Sequence, residues 1–189
     1  MCGIYGFAGF NEDGLLDRMG KAIVHRGPDG EGSYVAPNGA TFHMGAQRLS
    51  IIDLQGGWQP IYNEDQSIAI CYNGETYNYL ELREQLEKKG HQFRTHSDTE
   101  TIVHAYEEWG IEGVLRRMNG MFAFCLYDGN KKEFYLGRDR CGQKPLYYHH
   151  ANGRFLFASE VKALLQSRHV NAEPNLAAID PYLTLRNVP

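Results

Sequence analysis

No stretch of this 189-residue chain is long and apolar enough to cross a bilayer; runs such as residues 121–127 fall far short of the roughly 20 residues needed. No charged-then-apolar leader opens it, so a cytoplasmic protein is expected. Clustered positive charge is missing too: 19 Lys+Arg against 23 Asp+Glu give a formal charge of −4, with the basic residues dispersed. That balance argues against a nucleic-acid or anionic-membrane partner. The four cysteines, Cys2, Cys71, Cys125 and Cys141, form no C-x-x-C pair, and two lie in strand-like runs, so free thiols are expected. The eight histidines make no H-E-x-x-H or other zinc spacing, although His91 and His96 flank a strand-like segment, and no metal site is read from them. A P-loop lysine motif, a G-x-S-x-G elbow, internal repeats and low-complexity tracts are also lacking.

What is present suits one domain. At this length, with 42% hydrophobic residues, a chain buries roughly 70% of its unfolded surface and needs neither disulfide nor metal. Residues 2–9 read as a buried, glycine-punctuated strand and 15–24 as a short helix. Three glycines and a proline make 25–32 a loop, and the glycine spacing does not fit a dinucleotide fingerprint. Strands are expected over 33–36 and 41–49, joined through Asn38-Gly39, and over 67–72. Asn78 with Glu81, and Ser97 with Glu100, have capping-box spacing ahead of helices reaching Lys89 and about Trp109. Four closely spaced strands follow, over 121–127, 133–137, 146–149 and 155–158, with turns at Asp128-Gly129 and Asn152-Gly153. Ser159-Glu160 leads into a helix to about Gln166, and residues 182–185 have strand composition. The pattern is α+β, with many antiparallel strands and few helices. The abrupt stop at Pro189 suggests a piece of a longer chain.

Some residues invite chemistry. Asn73-Gly74 follows a strand but precedes a capped helix, which weakens the hairpin reading; an amide donor beside an unobstructed N–H could hold an oxyanion, though alone the dipeptide is usually a turn. Arg48, beside the apolar run 49–52, needs a partner, either a ligand carboxylate or an internal acid. Asp98, in a first helical turn, either complements the dipole or accepts from a ligand ammonium.

The motifs in order are Met1-Cys2-Gly3-Ile4, His25-Arg26-Gly27-Pro28-Asp29, Arg48-Leu49-Ser50-Ile51-Ile52-Asp53, Asn73-Gly74-Glu75 with Tyr77-Asn78, and Ser97-Asp98-Thr99-Glu100. Asn119-Gly120-Met121-Phe122-Ala123-Phe124, Arg138-Asp139-Arg140, Lys144-Pro145-Leu146-Tyr147-Tyr148 and Ala158-Ser159-Glu160 follow. Together they resemble the glutaminase domain of class II glutamine amidotransferases, most closely that of glutamine-hydrolysing asparagine synthetases, over essentially the whole chain, residues 1–189.

The resemblance implies an N-terminal nucleophile hydrolase fold, an αββα sandwich of two antiparallel sheets between helical layers. It implies L-glutamine as substrate and Cys2, exposed by removal of Met1, as nucleophile, with Asn73 and Gly74 holding the oxyanion. Arg48 would bind the substrate carboxylate, Asp98 and Glu75 its ammonium, and Leu49, Ile51 and Ile52 would supply backbone contacts. Arg26 would belong to a flap over the nucleophile. Thr76 and Cys141 depart from the commoner family pattern at positions expected to lie away from the chemistry. The pyrophosphate loop of the synthetase domain is not in these residues, so ATP and Mg are expected only in a synthetase partner, in the same longer chain or in trans, and no cofactor here. A homodimer is left open. The reading from a different class is a glutamine-binding or docking module without catalysis.

Overall fold

The computed structural model describes residues 1–37 and 41–186, so the expected Asn38-Gly39 turn lies outside the described residues. Strands β1 (Gly3–Ala8), β2 (Gly30–Val35) and β3 (Phe42–Arg48) join the later β8 (Tyr147–Ala151) and β9 (Arg154–Ala158) in an antiparallel sheet ordered β2-β3-β1-β9-β8. A second antiparallel sheet, ordered β4-β5-β6-β7, contains β4 (Ile61–Tyr62), β5 (Ile68–Thr76), β6 (Gly120–Asp128) and β7 (Glu133–Arg138).

Period-two alternation explains why both sheets are covered on both faces. On β5, Ala69 and Cys71 face the first sheet, meeting Ile4, Phe42, Met44 and Ala46, whereas Ile68, Ile70 and Tyr72 face helices. On β6, Ala123 and Cys125 point inward between the sheets, and Phe122, Phe124 and Leu126 point outward. Small side chains thus fill much of the inter-sheet layer.

Helices α2 (Tyr79–Glu87) and α3 (Asp98–Arg117) close the outer face of the second sheet through Leu86, Ile102, Val103 and Tyr106. Helices α1 (Leu15–Ala22) and α4 (Val161–Leu164) close the first sheet through Leu15, Met19, Ala163 and Leu164. The order is helix, sheet, sheet, helix.

Several expected boundaries shift. The loop over 25–32 is shorter, because a 3₁₀ turn occupies Val24–Arg26 and β2 begins at Gly30. β5 runs through Asn73 and Gly74 to Thr76, so Asn73 is inside a strand rather than at its end. Helix α3 extends to Arg117, with a kink at Gly110, φ 66°, close to the expected end. No strand joins His91 to His96. The 182–185 segment is helical, within α5 (Ile179–Leu185), against its β-favouring composition.

Both capping boxes are incomplete. Ser97 accepts from the Thr99 N–H, but Glu100 turns to the N–H groups of Arg94 and Thr95. Asn78 leaves its own helix, accepting from Asn119 N–H and donating to the Arg117 carbonyl. The Asn152-Gly153 turn forms as expected, both residues at positive φ (53° and 73°), as a type I′ hairpin requires. No described helix is long and apolar enough to cross a membrane.

Candidate active site

The N-terminal strand brings Cys2 to the end of the first sheet, where register pairs Gly3 with Gln47. Cys2 is therefore beside the residues that follow β3. Its sulfur accepts from the Leu49 N–H at 3.3 Å and lies 3.5 Å from the Leu49 carbonyl oxygen, which can accept the thiol proton. Burial instead pushes the Cys71 and Cys125 thiols well up from their ordinary range, which suits inert core residues.

Two distant motifs hold this terminus. Ile4 exchanges hydrogen bonds with Ser159, donating to its Oγ and accepting from its N–H. Arg26 Nε donates to the Cys2 carbonyl, and its Nη1 reaches Glu160. Arg26 thus fixes the Cys2 backbone, rather than covering the thiol as a flap residue would.

The floor of the cleft is the end of β5. Because backbone direction alternates along a strand, the N–H groups of Tyr72, Gly74 and Thr76 share one edge. The first donates to Gln59 Oε1 at 2.6 Å and the third to Asp98 Oδ2 at 2.8 Å. The Gly74 N–H lies between them, at a residue that lines the cleft. A Cβ on Gly74 would stand 2.3 Å from the Met121 carbonyl oxygen, so only glycine allows β5 to approach β6 here. Beside it, Asn73 is 1% exposed and its Nδ2 has no hydrogen-bond partner. A buried orphan amide costs about 1–3 kcal/mol, a cost that an arriving acceptor would remove.

Arg48, at the end of β3, is buried and donates to the carbonyls of Ile52, Asp53 and Leu54. A guanidinium has five N–H donors, so it retains capacity for a carboxylate. Asp98 opens α3 across the cleft. Burial raises its pKa above the ordinary carboxylate value, against the lowering effect of the Thr76 and Thr99 N–H groups.

Cys2, Arg48, Leu49, Ile51, Ile52, Gly74, Glu75 and Asp98 line one cavity of about 50 Å³, and the buried Asn73 adjoins Gly74 in sequence without lining it. A larger cavity, about 400 Å³, lies between α1 and strands β1–β3, away from Cys2, so size does not mark this site.

Sequence reasoning missed Gln59, Tyr72, Gly57 and Thr99, which also line the cleft. It also placed Thr76 away from the chemistry. The buried Thr76 hydroxyl bonds the Tyr72 hydroxyl at 2.9 Å, and its N–H holds Asp98. Alternation along 67–76 could have revealed Tyr72 and Thr76, since both stand two residues from Gly74.

Comparison with known proteins agrees with this geometry. Residues 1–189 match the family described as the glutamine amidotransferase domain. Glutamine-hydrolyzing asparagine synthetase 1 of Bacillus subtilis is 39% identical over 198 residues, covering 100% of this chain and 30% of that protein. Glutamine-hydrolyzing asparagine synthetase 3 of Arabidopsis thaliana is 44% identical over 170 residues, covering 87% of this chain and 28% of the relative. The solved glutamine phosphoribosylpyrophosphate amidotransferase from Bacillus subtilis shares the fold with a TM-score of 0.72 at 23% identity, covering 86% of this chain and 43% of that one. This chain spans 20–40% of the length of the curated relatives it matches. With motifs, sandwich and cleft in agreement, the chain belongs to the class II glutamine amidotransferases and carries their N-terminal nucleophile hydrolase fold.

Proposed function

We propose that this domain hydrolyses L-glutamine to glutamate and ammonia through a thioester on Cys2. The observation that carries this reading is the buried, unpartnered Asn73 Nδ2, one residue from Gly74, which lines the same cleft as Cys2. Met1 is 55% exposed, which suits its removal before a small residue. The freed α-amine of Cys2, ordinarily titrating at about 7.7–8.0, is partly neutral near pH 7 and takes the thiol proton.

The thiolate attacks the side-chain amide carbon of glutamine, and the resulting oxyanion is held by Asn73 Nδ2 and the Gly74 N–H. The ammonium of Cys2 returns its proton to the leaving nitrogen, and ammonia departs. Water, deprotonated by the same amine, then cleaves the thioester to glutamate and restores the thiol.

Arg48 takes the substrate carboxylate, and Asp98 with Glu75 takes its ammonium. The ammonia serves an ATP- and Mg-dependent amide-forming domain, in the same longer chain or in trans.

The test is glutamate release without ATP, on protein whose intact mass shows Met1 removed. Release abolished by Cys2→Ala supports the reading. Met-free, folded protein giving no glutamate above the Cys2→Ala level would sink it and favour a docking module.

A further inference from the structure

Away from the cleft, four side chains from three segments converge. Glu64 comes from the turn after β4, His91 from the chain after α2, and His104 and Glu107 from adjacent turns of α3. One nitrogen or oxygen from each lies within 4.8 Å of the other three. His104 Nδ1 is 3.2 Å from Glu64 Oε2 and 3.4 Å from Glu107 Oε2. His91 Nδ1 is 3.4 Å from Glu64 Oε1 and 3.9 Å from Glu107 Oε2. A tetrahedral ion with ligands at about 2.0–2.1 Å separates them by about 3.3 Å, the edge of that tetrahedron. The two His104 spacings match that edge, whereas His91 stands farther from Glu107 and meets the other Glu64 oxygen, so a small inward shift of His91 completes the set.

His104 supplies a second, independent observation. Its side chain is 1% exposed, and neither ring nitrogen makes a hydrogen bond of good geometry, although carboxylate oxygens of Glu64, Glu100 and Glu107 stand 3.2–3.5 Å away. A buried imidazole ringed by carboxylates that do not align with its nitrogens is suited to a cation placed between them.

The surroundings are arranged as around a metal. Asn63 Nδ2 donates to Glu107 Oε1 at 2.8 Å, leaving Oε2 aimed at the histidines. The Gln92 N–H steadies Glu64 Oε1. The outer nitrogen of each ring faces another carboxylate: His104 Nε2 is 3.5 Å from Glu100 Oε1, and His91 Nε2 is 3.8 Å from Glu108 Oε2. Ligating histidines commonly present their second nitrogen to a carboxylate in this way. Lys89 pairs with Glu108 and the Arg94 guanidinium donates to the Glu64 carbonyl, while the four carboxylates of Glu64, Glu100, Glu107 and Glu108 gather around two imidazoles.

We propose that Glu64, His91, His104 and Glu107 form a four-ligand site for a divalent transition-metal ion, best matched by Zn²⁺. Imidazole with carboxylate suits first-row divalent ions, and four protein ligands leave no open position, so the site is structural. It clamps residues 91–96, which have no strand ladder of their own, onto α3 just before Asp98. No zinc spacing is visible in the sequence because the ligands come from three separate segments that only folding brings together.

The test uses the full chain carrying Cys2→Ser and Cys141→Ser, which removes the partly and fully exposed thiols as competing ligands. After chelator treatment, Zn²⁺ is titrated against a chromophoric competitor, and Co²⁺ is added as a spectroscopic probe. One ion per chain is expected, with tetrahedral Co²⁺ absorption and a raised Tm. His91→Ala and the isosteric Glu107→Gln, both near the surface, should each weaken binding by about tenfold or more. Absence of stoichiometric binding would mean a polar cluster that holds no metal, and it overturns the proposal. Binding that survives both substitutions lies elsewhere and overturns it equally. Neither outcome depends on glutamine hydrolysis.

Discussion

Arg26 Nε donates to the carbonyl oxygen of Cys2 at 3.0 Å, linking the first 3₁₀ turn to the residue that carries the proposed nucleophile. The same guanidinium reaches Glu160 Oε1 at 3.1 Å, so one side chain ties together three motifs that are remote in sequence. Arg26 does not line the cleft and acts through the Cys2 backbone, as a positioning residue. Arg26→Met should lower kcat for glutamine hydrolysis by about 10²-fold, the penalty for a misplacement near 1 Å, with KM little changed. Steady-state kinetics on Met-free protein check this. A rise in KM alone would place Arg26 in substrate binding.

Glu160 gives this clamp a pH dependence. Burial raises its pKa, but hydrogen bonds from His25, Arg26 and Lys162 outweigh it and hold the group at about 2, against an ordinary 4.5. Because the native value is depressed, the stabilisation is full above the ordinary value and is lost as pH falls through it toward about 2. The linkage is worth up to about 3 kcal/mol, and less to the extent that water screens this quarter-exposed side chain. Glu160→Gln should therefore lower stability at pH 7 and lose much of its effect by about pH 3. Urea midpoints at the two pH values provide the comparison, and an equal loss at both would remove the carboxylate from the explanation.

Asn73 stands inside β5 with an unpartnered amide nitrogen. If that nitrogen serves the oxyanion, Asn73→Ala should cut kcat by about 10²–10³ with a smaller effect on KM. Since the buried donor has nothing to lose in the free protein, its removal should not destabilise the fold. A substantial drop in Tm, or a change confined to KM, would give Asn73 a different role.

The fold and most of the cleft were legible because alternation and motif order are local properties. Residues 121–127 and 155–158 are short apolar runs bounded by turn residues, and they form β6 and β9 with shifts of one residue. The misses share a cause in tertiary structure. Asn78 with Glu81, and Ser97 with Glu100, have capping-box spacing, but Asn119 and the Arg94–Thr95 backbone took the Asn78 and Glu100 side chains once the chain folded. Residues 182–185 have β-favouring composition, yet they continue a helix begun at Ile179. The His91–His104 pairing depends on how α2 hands the chain back to α3, and no spacing rule encodes that return.

Asp98 provides a pH test of substrate recognition. Its carboxyl is buried and titrates above the ordinary range, first because of desolvation and with a further push from the Glu75 charge. When protonated, Asp98 cannot pair with the α-ammonium of glutamine; when a substrate ammonium is bound, the ionised form is favoured and the pKa falls. Affinity must therefore increase as pH rises through the free-enzyme pKa of Asp98, and level off once the group is ionised. KM for glutamine should accordingly climb on acidification. Asp98→Asn keeps the shape but removes the charge, and loss of one partner of a buried pair costs about 2 kcal/mol or more, raising KM by about 30-fold or more. The decisive feature is the profile: the variant's KM should be flat over the acid range where the parent's rises. If both rise alike, the titrating group is elsewhere, and the Asp98 carboxylate serves only to hold the Thr76 N–H at the start of α3.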